Sequence, residues 1–439
     1  MQTMPTLARA IAFALAAGTG AAHAVQLDYT VSAGIGHSDN LNESQTAPVG
    51  STELIPRLDF SLKEEGAEVV ARANGEIEYR DYLDGHFDNQ VRGQLATVVN
   101  WSLSPRRLVF DFEDYASVQP VDILASNTPN NQQQTNVFTL GPTLNLRFDP
   151  TWYGQADLRV SDSTASVSRE FDSVRVLGAL RALKELNATD QLSGNVEDQN
   201  VHFTNSIGGP DYDRYSAYGR YQSKLASLDL DLSLGYSWLN FSTSSQFPNM
   251  QDVSGALARG SVNWHPTAQS TFTAGFARQY SDAAENLVVD PSALVLNPVG
   301  GEVTFGAAPV TSEVYLERRV NVGYVYRAER WALSLAPYWR TLDYPIDTLQ
   351  DQHAHGAVFG ASYRLLPLWT LAFDANEETR SYTSLVRRDE DLRLDLSLVD
   401  QLSRHLSVRL DLIRNQRNST ALNQGFRENI VFLTFVFHR

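Results

Sequence analysis

Cysteine is absent from the 439 residues, so the chain can form neither disulfide bonds nor thiolate metal sites. Lysine is scarce as well, occurring only at Lys63, Lys184 and Lys224, and the other basic residues are arginines. With 35 basic against 51 acidic residues, the formal net charge is −16. A chain this acidic has no broad attraction for nucleic acid, and we expect no nucleic-acid partner.

Long apolar runs are also missing. After residue 24 no stretch of about 18 consecutive apolar residues occurs, which excludes membrane-spanning helices. The mean hydropathy is negative, at −0.27. A polar average is nevertheless compatible with a transmembrane β-barrel, because only every second side chain of a barrel strand faces lipid. No linker rich in Pro, Gly or Ser divides the chain, so its length does not indicate several domains.

Recognised catalytic motifs are missing too, since the chain contains no G-x-S-x-G, H-E-x-x-H or phosphate-loop sequence. His37 and Ser38, near Asn40, invite comparison with outer-membrane lipid hydrolases that use His as base and Ser as nucleophile, but a turn rich in Ser, Asp and Asn explains them better. His353 and His355 suggest a metal pair, yet no acidic or Cys partner stands at a diagnostic spacing. We expect no enzyme activity, no metal site and no cofactor.

The N-terminus has the features of a secretory signal peptide. Arg9 precedes an apolar run from Ala10 to Ala17, which is followed by small residues and the sequence Ala22-His23-Ala24. A positive flank, a short apolar core and an A-x-A site together predict export and cleavage after residue 24, and they fit a buried N-terminal helix less well. We expect residues 1–24 to be removed and residues 25–439 to form a barrel in a Gram-negative outer membrane.

Strict alternation marks the stretch Ala226–Asn240. Its apolar side carries Leu228, Leu230, Leu232, Leu234, Tyr236 and Trp238. Small and acidic residues occupy the other side, and this period of two predicts a β-strand with one apolar and one polar face. The strand has the length of a bilayer-crossing strand, roughly 9–11 residues or more, whereas strands of soluble sheets have about five or six.

The same pattern recurs along the chain and predicts an all-β fold, a single transmembrane antiparallel up-and-down β-barrel. Nine short turns alternate with ten longer polar connections, which indicates twenty strands, with eighteen or twenty-two as alternatives. Short periplasmic turns and longer extracellular loops are typical of outer-membrane barrels. The short turns recur about every forty residues, which is also the period of a propeller blade, but a blade would divide that unit into four short strands.

Aromatic residues support this orientation. Five tryptophans lie close to short turns: Trp101, Trp152, Trp264, Trp331 and Trp369. A second set lies towards the long loops: Tyr82, Tyr115, Trp238, Tyr280, Tyr344 and Tyr382. Because the two membrane interfaces favour amphipathic rings, we expect the two sets to form two belts around the barrel.

Alternation places charged side chains of both signs on the face opposite the apolar one. The candidate pore-lining residues are Arg57, Arg80, Arg147, Arg159, Asp229, Asp231, Arg340, Asp374, Arg380, Arg393, Asp395 and Arg409. The planar fork of arginine suits carboxylates and sugar hydroxyls, so these residues could guide an anionic or hydroxylated solute. The alternative is that the charges pair across strands and keep the barrel rigid and wet. Paired carboxylates such as Glu377–Glu378 and Asp389–Asp391 are expected to be solvated.

The longest loop, 283–311, contains two apolar segments, Leu287–Val289 and Leu294–Leu296. A barrel of about twenty strands is wider than the porins of 16–18 strands that already enclose water, so it needs a partial plug or a large cargo. We therefore expect this loop to fold inward and narrow the pore.

Two segments resemble a known family. The stretch from Leu27 through Gly34 and Gly36 to Leu41, together with Phe426–Asn429, is similar to the outer-membrane β-barrels of exopolysaccharide and PEP-CTERM/exosortase loci, the EpsL-like and β-barrel porin type 2 group. In layout the resemblance covers the whole of residues 25–439. It implies a role in secreting or assembling an extracellular polysaccharide, with periplasmic export proteins as partners.

The last strand resembles the signal that barrel-assembly machinery reads, because Val431, Leu433, Phe435 and Phe437 alternate, although His438 and Arg439 follow the last aromatic. Outer-membrane lipids, including lipopolysaccharide, are further expected partners. The leading hypothesis is a non-enzymatic channel associated with exopolysaccharide export. The alternatives are a general or substrate-selective diffusion porin and, from another class, a barrel hydrolase acting on lipid or glycan.

Overall fold

The computed structural model describes residues 25–205, 208–244, 247–248, 250–288 and 309–439, and the expected signal peptide lies outside them. Long β-strands dominate. They are β1 (Gln26–Ser38), β2 (Ser51–Glu65), β3 (Val69–Tyr82), β4 (Gln90–Ser104), β5 (Leu108–Pro120), β6 (Gln132–Arg147), β7 (Trp152–Ala165), β8 (Ser173–Glu185), β9 (Asp190–Phe203), β10 (Tyr212–Lys224), β11 (Leu228–Phe241), β12 (Val253–Thr267), β13 (Ser270–Asp282), β14 (Val314–Arg327), β15 (Trp331–Asp343), β16 (Gln352–Leu366), β17 (Trp369–Tyr382), β18 (Arg387–Gln401), β19 (Leu406–Ser419) and β20 (Phe426–His438).

Helical structure is confined to the connections. The described residues contain one short α-helix, α1 (Ala283–Leu287), and 3-10 turns at Pro129–Asn131, Arg169–Phe171 and Thr348–Gln350. In this part of the chain no helix has the length and apolar character that a membrane span requires.

The strands form one closed sheet. Each strand pairs antiparallel with its neighbours in the chain, and β1 also pairs with β20, from Thr30↔His438 to Ser38↔Ile430. Nine connections of two to four residues alternate with ten of four to 31 residues. This confirms the predicted single up-and-down barrel of twenty strands and excludes a propeller. We call its two rims the turn end and the loop end.

The outer face of the barrel wall is apolar and the inner face is polar, the reverse of a water-soluble protein. On β11, Leu234 is 55% exposed on the outer face, whereas its neighbour Ser233 is 4% exposed on the inner face. Outward positions carry mainly aliphatic and aromatic side chains, and inward positions carry mainly hydroxyl, amide and charged ones. An apolar exterior around a polar interior is suited to lipid, so the molecule is a membrane-spanning barrel of the outer-membrane type.

The aromatic belt at the turn end is confirmed. All five tryptophans near the short turns lie exposed on the outer face, and Trp264 stacks on Phe272 of the next strand. At the loop end the expected belt is wrong except for Trp238, which is exposed. The others are buried: Tyr82, Tyr115, Tyr280, Tyr344 and Tyr382. Proximity to a loop sets the height of a residue along the barrel, whereas the face of Tyr82, Tyr115, Tyr344 and Tyr382 follows from the parity of their positions. Tyr280 has the outward parity of Phe276 and is buried for another reason, because it lies beyond Arg278, where β13 no longer pairs with β12.

The seam between β1 and β20 requires glycine at two positions. The ring of Phe432, on the inner face of β20, lies flat across Gly34 and Gly36 of β1, and a Cβ atom at either glycine would overlap that ring. Ile55 and Ile430 pack against the same ring, so it has no room to move aside.

We expect Gly36→Ala to destabilise the barrel by on the order of 1–3 kcal/mol, because the added methyl group must displace a packed ring. Urea unfolding of the protein in lipid vesicles measures this change. Gly194→Ala on β9 is the matched control, since a Cβ atom there meets nothing within 4 Å. Equal unfolding midpoints for the two variants would show that Phe432 is not held in place.

Candidate functional site: the inner wall and the loop end

All twelve candidate pore-lining residues occupy inward positions, and they fall into three groups. The buried ones are Arg57, Arg80, Arg340, Arg380, Arg393 and Asp395. The half-buried ones, each in an ion pair, are Arg159, Asp231 and Arg409. The exposed ones are Arg147, Asp229 and Asp374. Ion pairs between strands, the alternative interpretation of these charges, are formed by Arg57, Arg80, Arg159 and Asp231, whereas Arg380, Arg393, Asp395 and Arg409 pair within their own strand. Contact with a solute remains a prediction.

Buried charges on β2 and β3 compensate one another. Arg57 on β2 pairs with Glu76 on β3. Arg80 on β3 lies 2.7 Å from Glu78 on the same strand and 3.5 Å from Glu53 on β2. A buried guanidinium without a partner would be strongly destabilising. Because each of these arginines has a carboxylate partner, this part of the inner wall is polar and nearly neutral.

A chain of ion pairs crosses the wall from β5 to β9. Its members, in order, are Asp111, Arg159, Asp157, Arg181 and Glu197. Beside it, on the inner face of β4 to β7, a cavity of about 350 Å³ opens, and its lining residues lie within seven residues of the turn end. The cavity is lined by Asn100, Val109, Asp111, Glu113, Thr143, Asn145, Gln155 and Arg159. All but one of these side chains donate or accept hydrogen bonds, which is the chemistry that recognises sugar hydroxyls.

Three carboxylates that were expected to be solvated are buried. Glu378, Asp389 and Asp391 are 0%, 2% and 5% exposed. Their ion pairs are Glu378 with Arg380, Asp389 with Arg387 and Asp391 with Arg417. The expectation of solvation is wrong here because these acids occupy inward positions beside inward arginines, whereas the adjacent Glu377 and Glu390 are exposed on the outer face.

The histidines singled out in the sequence form no reactive group. His37 and Ser38 are successive residues of β1 and point to opposite faces of the wall. His37 Nδ1 lies 3.1 Å from Thr52 Oγ1, while the Ser38 hydroxyl donates to Glu428 at 2.5 Å. The base and nucleophile that a hydrolase needs are therefore not paired. Across the described residues no three His, Cys, Asp or Glu side chains are arranged to hold a metal ion.

At the loop end the wall parts between β12 and β13. Their pairing stops at Ala258↔Arg278, so 253–257 and 279–282 do not pair with each other. Above this point β13 stays paired with β14 as far as Asp282, and β14 stays paired with β15 as far as Leu316↔Asp343, so only the tip of the β13–β14 hairpin leaves the wall. Arg278 spans the gap by donating to the main-chain oxygen of Ala256.

A cluster that we call the latch holds this hairpin inside the barrel. Asp282 accepts hydrogen bonds from Arg175 on β8 and, at 2.5 Å, from the Tyr212 hydroxyl on β10. Arg214 on β10 binds Glu285 of α1. Because β8 and β10 are five and three strands away from β13 in the wall, these contacts can form only if the end of β13 reaches into the lumen.

Helix α1 itself lies inside the barrel. Ala283 and Ala284 pack with Val310 against Val137 of β6 and Phe171. Val137 occupies an inward position of β6, seven strands from β13. The expected inward course of the longest loop thus holds for its described ends, and its apolar segment 294–296 lies outside the described residues.

A second hairpin, β5–β6, parts from the wall in the same way. Pairing between β4 and β5 stops at Leu95↔Ala116. The side-chain amide of Gln134 on β6 closes the gap by bonding the main chain of Gly93 at N (3.2 Å) and O (2.8 Å), and the main-chain oxygen of Ser117 (2.9 Å). A side chain here replaces the ladder bonds that the splayed strands cannot make.

The loop of the second hairpin, 121–131, reaches the far side of the lumen. Arg387 on β18 donates to the carbonyl oxygen of Leu124 at 2.7 Å. Arg417 on β19 donates to that of Ala125 at 3.4 Å. The tips of the two hairpins therefore both lie inside the loop end of the barrel.

Glu43, in the loop between β1 and β2, fastens a third segment to this loop. Its carboxylate accepts the Asn127 amide at 2.6 Å, and its carbonyl oxygen accepts the Ser126 hydroxyl at 3.3 Å. Burial raises the pKa of Glu43 from 4.5 to about 8, the positive charge of Arg417 opposes this rise, and the acid Glu428 adds to it. Glu43 is therefore mostly protonated at neutral pH.

The sequence did not reveal the latch. Asp282 followed by Ala-Ala-Glu does have the form of a helix N-cap, and its carboxylate accepts the Glu285 amide at 3.1 Å. That signal marks the start of α1 but not its partners. Arg175 is 107 residues earlier in the chain, on a strand whose inward face mixes apolar and charged residues, so no local pattern connects it with Asp282.

No family model matches the chain, and no curated protein matches it. The barrel is similar to the FrpB iron transporter from Neisseria meningitidis (10% identity, 93% of this chain and 82% of that one, TM-score 0.43). It is also similar to the siderophore receptor PirA from Pseudomonas aeruginosa (14%, 94% and 80%, 0.43) and to the copper transporter OprC (11%, 95% and 80%, 0.44). At such identities the likeness concerns the barrel fold alone.

We expect Asp282→Asn to destabilise the docked hairpin by about 3–5 kcal/mol, because it leaves the buried Arg175 guanidinium without its counter-charge. Faster amide hydrogen exchange in 283–287 measures the release. The control is Asp231→Asn, which breaks a half-exposed pair with Arg220 on the wall and is expected to cost about 0–1 kcal/mol. Wild-type exchange rates in α1 would contradict the role of the latch.

We expect the contact between Glu43 and the loop 121–131 to weaken as pH rises. The pKa of Glu43 is about 8 when docked against 4.5 when free, so the docked loop binds the extra proton between these values. The contribution is complete below pH 4.5, falls through this window and is lost above pH 8. Protection of the Asn127 amide from hydrogen exchange, corrected for intrinsic rates, should drop accordingly.

Glu43→Gln is the control for this pH dependence, because glutamine keeps an oxygen acceptor for the Asn127 amide but does not titrate. The variant should show the same protection at pH 5 and pH 9 after the intrinsic correction. A loss of protection in the variant equal to that of the wild type would assign the titration to another group.

Proposed function

We propose that this barrel conducts an exopolysaccharide chain across the outer membrane without altering it chemically. The observation that carries the proposal is the inner wall, where arginines and carboxylates neutralise one another and amides and hydroxyls stand between them. Such a surface can replace the water around a sugar chain. It has no strong net charge to hold the chain in place, so the chain can move along it.

The cavity on β4 to β7 supports a saccharide as the cargo. It lies near the turn end, which is the periplasmic end if short turns face the periplasm as in other outer-membrane barrels. Asn145 and Gln155 bring amide groups to it, and Asp111 accepts hydrogen bonds from Asn100 and Thr143 there. A chain delivered from the periplasm would meet this cavity first.

The two inward hairpins support a gated passage over a permanently open pore. They meet inside the loop end, held by the latch and by the carbonyl contacts of Arg387 and Arg417. A general diffusion porin stays open and needs no inward hairpins. A channel for a large polymer must be wide during transport and closed when no polymer is being transported. The resemblance of 27–41 and 426–429 to barrels of exopolysaccharide loci points to the same cargo.

A substrate-selective diffusion porin for small solutes is the second candidate. The exposed carboxylates of Asp229 and Asp374 on the inner wall favour it, because acidic groups in a water-filled bore attract small cations. Such a porin would be cation-selective and indifferent to the length of a sugar chain.

Planar-bilayer recording of the purified protein separates the two candidates. We expect low conductance in the wild type and higher conductance when Asp282→Asn loosens the gate. In the loosened barrel, maltooligosaccharides should cause current blocks whose duration grows with chain length. Asn145→Ala combined with Gln155→Ala should shorten these blocks severalfold, because two amide contacts are lost at about 0.5–1.5 kcal/mol each.

Asn240→Ala is the matched control for the amide variants, because Asn240 is an exposed amide on the outer face of β11. It should leave the blocks unchanged. Cation-selective conductance with no block by any oligosaccharide would reject polymer transport and favour the small-solute porin. Unchanged conductance after removal of 283–311 would reject the inward loop as the gate.

A further inference from the structure

Two arginines on the outer face at the loop end have no partner among the residues that the structure describes. Arg414 on β19 and Arg427 on β20 are exposed, and neither guanidinium makes an ion pair or hydrogen bond with any described residue. Two other outward arginines at this end, Arg318 and Arg388, are paired with Asp343 and Glu390. Two guanidinium groups on adjacent strands that lack such a pair among the described residues can bind an anion from outside the chain.

The register of β19 and β20 brings these arginines together with two amides. Arg414 lies opposite Asn429, and Gln416 lies opposite Arg427. All four are at outward positions, and directly opposed side chains on antiparallel strands have Cβ atoms about 4.5–5.5 Å apart. The four side chains therefore form one compact group of donors, with two planar forks suited to the oxygen atoms of a phosphate.

The height of this group along the barrel matches a lipid headgroup. The next outward residues towards the turn end are Leu412 beside Arg414 and Val431 beside Asn429, which are 46% and 52% exposed. The donor group thus stands directly at the border of the apolar band. A headgroup phosphate of a lipid in the outer leaflet would lie at this level.

A cavity of about 570 Å³ adjoins the group on its loop side. Its lining includes Arg427, Asn429, Asn418 and Gln45. Asp39 also lines it, and both oxygens of that carboxylate accept hydrogen bonds from Asn429, at 2.8 and 2.7 Å. The remaining polar lining is Asn40, Ser44, Ser419 and Arg417, so the cavity offers amides and hydroxyls that suit a sugar attached to the phosphate.

The charge of this group differs from that of the outer face elsewhere at the loop end, where acidic residues are common. Outward positions in the loop half of β7, β9 and β10 carry Asp162, Asp198 and Asp213, and the whole chain has a net charge of −16. Such a surface repels anions, so an anionic lipid would be attracted to the side of the barrel formed by β19 and β20.

We propose that Arg414 and Arg427, with Gln416 and Asn429, bind the phosphorylated sugar headgroup of an outer-leaflet glycolipid of the lipopolysaccharide type. The guanidinium groups bind the phosphate, the amides and the adjoining cavity bind the sugar, and the acyl chains lie along Leu412 and Val431. This inference is independent of the cargo proposed for the lumen.

Native mass spectrometry of the purified barrel with bisphosphorylated lipid A tests the site. Arg414→Gln and Arg427→Gln should each weaken binding about fivefold, since a basic residue near a membrane surface contributes about 1 kcal/mol, and the double variant about 25-fold. Arg318→Gln is the matched control, because it removes an outward arginine already paired with Asp343, and it should change binding less than twofold. The double lysine variant keeps both charges and should restore most of the affinity.

Two further probes identify the source of the phosphate. Lipid A stripped of its phosphates should bind the wild type no better than intact lipid A binds the double glutamine variant. Inorganic phosphate should not displace lipid A at comparable concentrations. Equal binding by the wild type and the double variant, or an equal loss in Arg318→Gln, would overturn the site, and displacement by inorganic phosphate would overturn its assignment to a lipid.

Discussion

Hydrogen bonding of the main chain in lipid is the constraint on which the rest of this structure depends. An amide or carbonyl group that faces hydrocarbon without a partner costs several kcal/mol, so every strand must pair on both edges and β1 must close on β20. The close approach of Phe432 to Gly34 and Gly36 lies at that closure. Where the ladder is interrupted, side chains take over its role, as Gln134 does at Gly93 and Arg278 at Ala256.

Closure of the barrel determines what its interior must be. Because the outer face supplies apolar surface to the membrane, alternation leaves the charged residues inside, where water is partly excluded. Each buried charge then needs a partner within reach, and the wall meets this need with pairs such as Arg57 with Glu76 and Arg417 with Asp391. The same pairing that permits the fold makes the bore hydrophilic and nearly neutral, which is the property that transport of an uncharged or weakly charged polymer would use.

The interruptions in the wall and the inward course of the hairpin tips have one cause. The hairpins β5–β6 and β13–β14 can enter the lumen only by giving up pairing with β4 and β12, and the latch and the contacts of Arg387 and Arg417 offset that loss. An inward position of the hairpins is thus balanced against a longer ladder in the wall.

The sequence by itself determined the barrel, because parity is a local property of a strand. The alternation of Leu228 to Trp238 specified both faces of β11, and the spacing of turns specified twenty strands. The inward position of all twelve candidate residues follows from the same rule. What alternation could not supply was the partner of each charge, since it says nothing about which residues on other strands share a height.

Tertiary structure decided the rest. It buried Glu378 and Asp391 beside arginines, turned Tyr82 and Tyr382 into the interior, and joined Asp282 to Arg175 and Tyr212 across the lumen. Within the described part of the chain it also left Arg414 and Arg427 without a partner on the outer face. These outcomes depend on register, on strand tilt and on where a hairpin leaves the wall, which are set by the closed sheet as a whole and not by any stretch of neighbouring residues.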